Sequence, residues 1–169
     1  MKHPFFGISV LALISALLLS SCSKDEYIPV QVSKKSLNIE IECVGAKGEN
    51  RLADKAFIDK IKIEGENSHS NIKFTISNNR LCFEADLPDQ NDMKWSKDRC
   101  EATGMSKMTI KFGKQKASLN CFVKYVANRA PLVSGGSVTL EEVEYKGTTY
   151  KRSAGAVSFK IQFNKDDRL

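Results

Sequence analysis

Histidine is nearly missing from this chain. Of two in 169 residues, His3 sits at the extreme N-terminus, so His69 alone serves the body of the sequence. A Ser-His-Asp or Cys-His centre would have to be built on that residue. It lies in Asn67-Ser68-His69-Ser70-Asn71, a run of turn formers that reads as a solvated loop. There is no Gly-x-Ser-x-Gly elbow. There is no Cys-x-x-Cys or His-x-x-x-His spacing for zinc. Gly135-Gly136 lacks the lysine and helix that a phosphate loop needs. Long apolar runs are missing too, apart from residues 5–19; no later stretch is long enough to cross a bilayer as a helix.

Carboxylates are the remaining route to catalysis, since a glycosidase needs only two, ~5–9.5 Å apart. Glu40, Glu42, Glu84 and Asp86 fall at solvent-side positions of their segments. Asp86, Asp89 and Asp92 gather around Pro88 and could favour calcium, but their spacing does not match an EF-hand loop, and a turn rich in Asp and Asn is the reading adopted. The expectation is a protein that is not an enzyme, with no metal or cofactor.

The 26 Lys+Arg against 20 Asp+Glu leave a net charge of +6. The cations are spread: Lys60, Lys62, Lys73, Lys111, Lys116, Lys124, Lys146 and Lys160 occupy the wet positions of alternating segments. Nucleic acid would call for clustering with interleaved aromatics, so no nucleic-acid partner is expected. A basic face could steer toward anionic glycans or lipids, within a screening length of ~8 Å at physiological salt.

Residues 1–21 have the parts of an export signal. Lys2 is the positive start, and the apolar stretch 5–19 is broken only by Gly7, Ser9 and Ser15. As a helix that stretch spans about 22 Å, short of a ~30 Å hydrocarbon core. Leu19-Ser20-Ser21-Cys22 follows and resembles the lipobox of bacterial lipoproteins. The resemblance implies cleavage before Cys22 and acylation of its sulfur. Ser23-Lys24-Asp25-Glu26 is similar to the charged tract that favours surface display in Bacteroidetes lipoproteins. The expected organisation is a signal at 1–21, the lipidated Cys22 and a linker at 22–35, and one domain at 36–169. Fully extended, the linker reaches about 50 Å.

The domain alternates with period two, the mark of half-buried strands. Leu37, Ile39, Ile41 and Cys43 share one face. So do Phe57, Ile61 and Ile63; Ile72, Phe74 and Ile76; Leu81, Phe83, Ala85 and Leu87; Met108, Ile110 and Phe112; Leu119, Cys121, Val123 and Tyr125; and Val157, Phe159, Ile161 and Phe163. Val138 and Leu140, then Val143 and Tyr145, predict a strand bulged at Glu141-Glu142. Thr148 to Arg152 makes a short strand, for about nine in all. Asn78-Asn79, Gly113-Lys114, Lys146-Gly147 and Ala154-Gly155 are hairpin turns. One-sided strands with long connections at 45–56, 88–107 and 128–136 predict an antiparallel β-sandwich of immunoglobulin-like, Greek-key type. The alternative is a small up-and-down β-barrel. With the lipobox and charged tract, the Gly48-Glu49-Asn50-Arg51-Leu52 turn and the Glu144-to-Tyr150 hairpin are similar to small Bacteroidetes surface lipoproteins. That likeness implies an outer-membrane, outward-facing location. It is loose at Arg51-Leu52-Ala53, where those proteins often carry Asp-Leu-Leu.

Setting Cys22 aside leaves four cysteines. Cys43 and Cys121 are in phase with core residues, whereas Cys82 is out of phase and Cys100 lies in a loop. If they pair, Cys43 with Cys121 and Cys82 with Cys100 is favoured; the alternative is four free thiols serving as small hydrophobes. Trp95, the one tryptophan, lies in the most charged neighbourhood, with no strand period around it. Trp95, Lys94, Lys97 and Arg99 are therefore the candidate binding residues for a glycan or protein partner. Alternatively Trp95 folds back as a plug over one end of the domain. The functional expectation is a non-catalytic binding or accessory module, with a structural role in envelope assembly as the alternative.

Overall fold

The computed structural model describes residues 32–128 and 135–164. The signal, Cys22, the tract behind it and most of the 128–136 connection lie outside the described residues. The described elements are β1 (Val32–Ser36), β2 (Asn38–Val44), the one-turn helix α1 (Lys55–Ile58), β3 (Ile61–Gly65), β4 (Phe74–Ser77), β5 (Arg80–Glu84), β6 (Lys94–Trp95), β7 (Glu101–Phe112), β8 (Gln115–Ala127), β9 (Gly136–Tyr145), β10 (Thr148–Ser153) and β11 (Ala156–Gln162), with two short 3-10 turns.

The fold is all-β, as the alternation requires. The ladder runs β3-β7-β8-β9-β10-β11-β2-β5-β4. Its ends nearly meet: the Ile72 N–H, just before β4, donates to the Ile63 carbonyl of β3 at 2.8 Å. The result is a nearly closed, barrel-like sheet around one core, nearer to the small-barrel alternative than to the expected sandwich of two facing sheets. Ile39, Ile41, Leu81, Met108, Ile110, Leu140, Val143 and Val157 line the core with essentially no exposure.

Two pairings are parallel, where antiparallel neighbours were expected: β1 with β9, and β2 with β11. The cause is topological. Strands β9, β10 and β11 form a meander whose first and third members run the same way. The chain through β1 and β2 is a single run, bent at buried Leu37, that lies against both of them. It must then be parallel to both. Period-two alternation is the same in either orientation, so periodicity was blind to this.

The local chemistry behaves as its residues dictate. Asn78 and Asn79, Lys146 and Gly147, and Ala154 and Gly155 all have positive φ, the requirement of a type I′ hairpin. The bulge falls where Val138-Leu140 and Val143-Tyr145 change phase: Phe122 faces Glu142 and Val123 faces Leu140, leaving Glu141 as the extra residue.

Three boundaries differ from expectation. The last linker residues, 32–35, are ordered in β1 against Gly136–Val138. Phe57 is not in a strand, because Asp54 caps α1 through its carboxylate and β3 begins only at Ile61. The 88–107 connection is shorter than expected, since β6 and the first part of β7 lie inside it. The inward positions there are Ala102, Gly104 and Ser106, too small to register as an apolar face. Their size has a reason. The chain crosses beneath them after β5, and a Cβ at Gly104 would collide with the side chains of Met93 and Pro88. The fully buried Ser106 hydroxyl donates to the Asp86 carbonyl at 2.6 Å.

Candidate functional site

The barrel has two ends, closed by different residues. At the end where β7 turns into β8, α1 drops Phe57 onto the core. Its ring stacks on Phe112 at 5.7 Å and meets Phe163 edge-on at 5.2 Å, and the Arg51 guanidinium lies over it at 5.1 Å. Phe57 plugs this end. At the opposite end, where β8 runs into β9, Trp95 pairs with Ala102 and leans edge-on against buried Tyr125 at 5.6 Å, while remaining 39% exposed.

The two-residue strand β6 separates the candidate residues. Lys94 sits opposite exposed Thr103 and faces outward; Trp95 sits opposite buried Ala102 and faces the mouth of the barrel. Lys97 and Arg99 are exposed in the turn that follows, with Arg99 at positive φ. That turn is tied by Asp98, whose carboxylate accepts from the Ser96 hydroxyl at 2.6 Å and from the Cys100 N–H at 3.1 Å. The Ser96 bond, then that of Cys100, holds the Asp98 carboxyl below its ordinary range. Trp95 and Lys94 therefore do not form one patch. Trp95→Ala is expected to cost about 1–2 kcal/mol, an edge-to-face ring pair plus half a buried side chain. Thermal unfolding of the purified protein measures it, and a loss of 4 kcal/mol or more would mean that Trp95 is a full plug.

Lys94 joins a different feature, one that sequence reasoning missed. A groove of about 740 Å³ crosses the outer face of β7, β8 and β9. Its floor holds Met105, which is 36% exposed and paired across the strands with Phe122, itself opposite Glu142. The rim carries both signs: Lys94, Lys107 and Lys124 against Asp92, Glu141 and Glu142. Lys124 is held by Glu101 at 2.8 Å, and that bond raises its pKa. The bulge at Glu141 adds an acid at the rim. An apolar floor with a two-signed rim can hold an extended polar chain along its length. The signal was present in the bulge and in outward Met105 and Phe122, but only strand pairing brings these together.

His69 is exposed in its loop at positive φ. Asp89 caps the turn through Asn91, Asp86 accepts from the Ser68 N–H, and Asp92 faces the groove, so these acids serve separate turns. Among the described residues no group of three His, Cys, Asp or Glu side chains is placed to hold a metal ion.

The four described cysteines are free thiols, and neither favoured pair is formed. Strand register explains it. Cys43 lies beside Ile161, and Cys121 beside Ser106 and Val143; Cys82 lies between Glu40 and Thr75, whereas the Cys100 carbonyl accepts from Ala127. Burial pushes the thiols of Cys43 and Cys121 up to about 12. They are therefore protonated and unreactive at neutral pH. Iodoacetamide at pH 8 should label Cys82 and Cys100 in the native protein and Cys43 and Cys121 only in denaturant. The raised values also set a pH dependence. The folded state keeps two protons that the unfolded chain releases above about pH 9, so this stability is intact below pH 9 and is lost as pH rises toward 12. Urea unfolding between pH 8 and 10.5 should show a shallower alkaline loss in a Cys43→Ala/Cys121→Ala variant than in the parent.

The chain matches no family model, no curated protein and no solved structure.

Proposed function

We propose that this protein is a lipid-anchored module of a bacterial outer membrane that binds a protein segment in the groove over β7, β8 and β9. The observation carrying this reading is the groove itself. Its Met105–Phe122 floor is apolar, and three lysines and three acids on its rim complement a peptide of mixed charge. A standing apolar floor on the outside of a small domain contributes nothing to the core, and such patches mark interaction surfaces. The anchor rests on the Leu19-Ser20-Ser21-Cys22 lipobox and the charged tract behind it, which favour an outward-facing location. The lack of a second histidine beyond the leader supports a role without catalysis.

Envelope assembly by strand addition is a second reading with its own observation. Among the described residues, edge strand β4 pairs only with β5, and its Ile76 is 36% exposed. Photo-crosslinking in intact cells separates the two. A benzophenone amino acid at Met105 should give a discrete adduct with one envelope or host protein, while the same probe at Ile76 should not. Adducts at Ile76 alone would favour assembly, and none at Met105 would overturn the groove reading.

A further inference from the structure

The lysines that look dispersed along the chain are gathered by strand pairing. Lys62 of β3 stands directly opposite Lys111 of β7, and Lys111 stands directly opposite Lys116 of β8. All three face outward, because Ile61, Ile63, Ile110, Phe112 and Ala117 on either side are buried. Lys114 lies exposed in the turn joining β7 to β8. Lys60 joins it, its carbonyl accepting from the Gly113 N–H at 3.2 Å. Five lysines thus share the plugged end of the barrel. Glu64 bonds Lys111 at 2.6 Å, and its carboxyl is held below the ordinary range first by that bond and also by the charges of Lys111, Lys116 and Lys62. Lys55, close by in sequence, is already paired with Asp59.

Like charges directly opposite one another across strands are destabilising. A row of three, flanked by two more, works against the fold and calls for a reason outside it. Its position supplies one. The described chain starts at Val32 beside Gly136, and Gly136 faces Ala127 at the far end of β8 from Gln115. The lysine row and the N-terminal approach are therefore at opposite ends of the barrel. On the anchored reading proposed above, the row points away from the cell's own membrane.

We propose that the Lys60, Lys62, Lys111, Lys114 and Lys116 end of the barrel is a binding site for an anionic polysaccharide, one bearing carboxylate or sulfate groups along its length. Lysine ammonium groups are compact point charges on flexible stems. They suit a polymer whose charges repeat but whose geometry varies, and they gain by releasing its condensed counterions. The large exposed hydrophobics, Ile76, Trp95 and Met105, are not in this row. It therefore lacks the aromatic platform that single-stranded nucleic acid uses and the apolar wedge that a lipid surface takes. The site is separate from the groove, and only its outward direction rests on the anchor.

The test uses the purified full-length protein and affinity electrophoresis in gels containing heparin, polygalacturonate or neutral dextran. Retardation is expected in one or both polyanions, weakening as salt is raised, and none in dextran. Heparin alone would point to sulfate as the recognised group, polygalacturonate alone to carboxylate. A Lys62→Gln/Lys114→Gln/Lys116→Gln variant keeps the Lys111–Glu64 pair and should bind about tenfold more weakly. A Lys34→Gln/Lys35→Gln/Lys151→Gln variant of the same net charge, altered at exposed sites outside the row, should stay within about twofold of the parent. Circular dichroism confirms that both are folded. Equal weakening in the two variants would overturn the site, as would absence of binding to both polyanions at 150 mM salt. Equal or tighter capture of a single-stranded oligonucleotide, or of phosphatidylglycerol vesicles, through the same lysines would overturn the polysaccharide assignment. None of these readouts depends on Cys22 or on the groove, so their failure is distinct from failure of the functional reading.

Discussion

Cys22→Ser is expected to leave the precursor uncut and to remove the protein from the outer membrane. On the anchored reading proposed above, the sulfur of Cys22 is the atom presented for acylation, and a hydroxyl does not replace it. The consequence is large because of how anchoring energy accumulates. One acyl chain holds a protein only reversibly, whereas two or more, at ~0.8 kcal/mol per buried methylene, hold it for practical purposes permanently. Removing the acceptor removes every chain attached through that step. Intact-mass analysis of the membrane-extracted parent should give a polypeptide beginning at Cys22 with added acyl mass. The variant should retain residues 1–21 and carry none. A parent chain cut at another residue, or recovered as a soluble periplasmic protein, would overturn the anchor and with it the direction assigned to the lysine row.

Phe57→Ala is expected to cost about 3–5 kcal/mol, the range for emptying a phenylalanine site in a packed core. Domains of this size have roughly 5–15 kcal/mol in total, so the loss is a large share of what holds the fold. Phe57 is only 1% exposed, and it holds two other rings, Phe112 and Phe163, which also meet each other at 5.0 Å. Without it, water reaches the end of the barrel and α1 loses the side chain that docks it. The melting temperature should fall by roughly 9–25 degrees at about 3–5 °C per kcal/mol. Phe57→Leu, which keeps most of the apolar volume, should recover more than half of the loss. A fall of only one or two degrees for Phe57→Ala would show that this end is not packed as described. The contrast with Trp95 is the informative part. The larger aromatic, alone of its kind in the chain, is the smaller contributor, because nearly two-fifths of it stays in water.

Trp95 also shows where sequence reasoning stops. Its charged neighbours made it look like a loop residue, yet two residues of pairing with Thr103 and Ala102 are enough to turn Lys94 and Trp95 to opposite faces. A two-residue strand has no period to detect. The start of β7 was hidden for another reason: Ala102, Gly104 and Ser106 are small to admit the crossing segment beneath them, and small residues carry no apolar signal. Phe57 was in phase with Ile61 and Ile63 by coincidence of spacing, since a one-turn helix between them preserves parity. The bulge at Glu141, by contrast, was fully legible. One added residue shifts alternation by one place, and the shift is written in the sequence itself. The positive-φ turns were legible because their residues meet a local steric requirement.

Local physics alone therefore determined that the chain is all-β, most of the side chains that face the core, where its hairpins turn and where one strand bulges; the Ile72, Phe74 and Ile76 face is an exception, since Ile76 on edge strand β4 stays 36% exposed. Each of these follows from alternation of period two or from the backbone freedom of a few residues. Tertiary structure decided the rest. Parallel or antiparallel pairing leaves alternation unchanged, so only the path of the chain could place β1 and β2 parallel to β9 and β11. Closure of the sheet depends on Ile72 meeting Ile63 at the ladder's ends. Charge is the clearest case. Lys62, Lys111 and Lys116 are spread over more than fifty residues of sequence and stand in one row because register, a long-range property, sets them opposite one another.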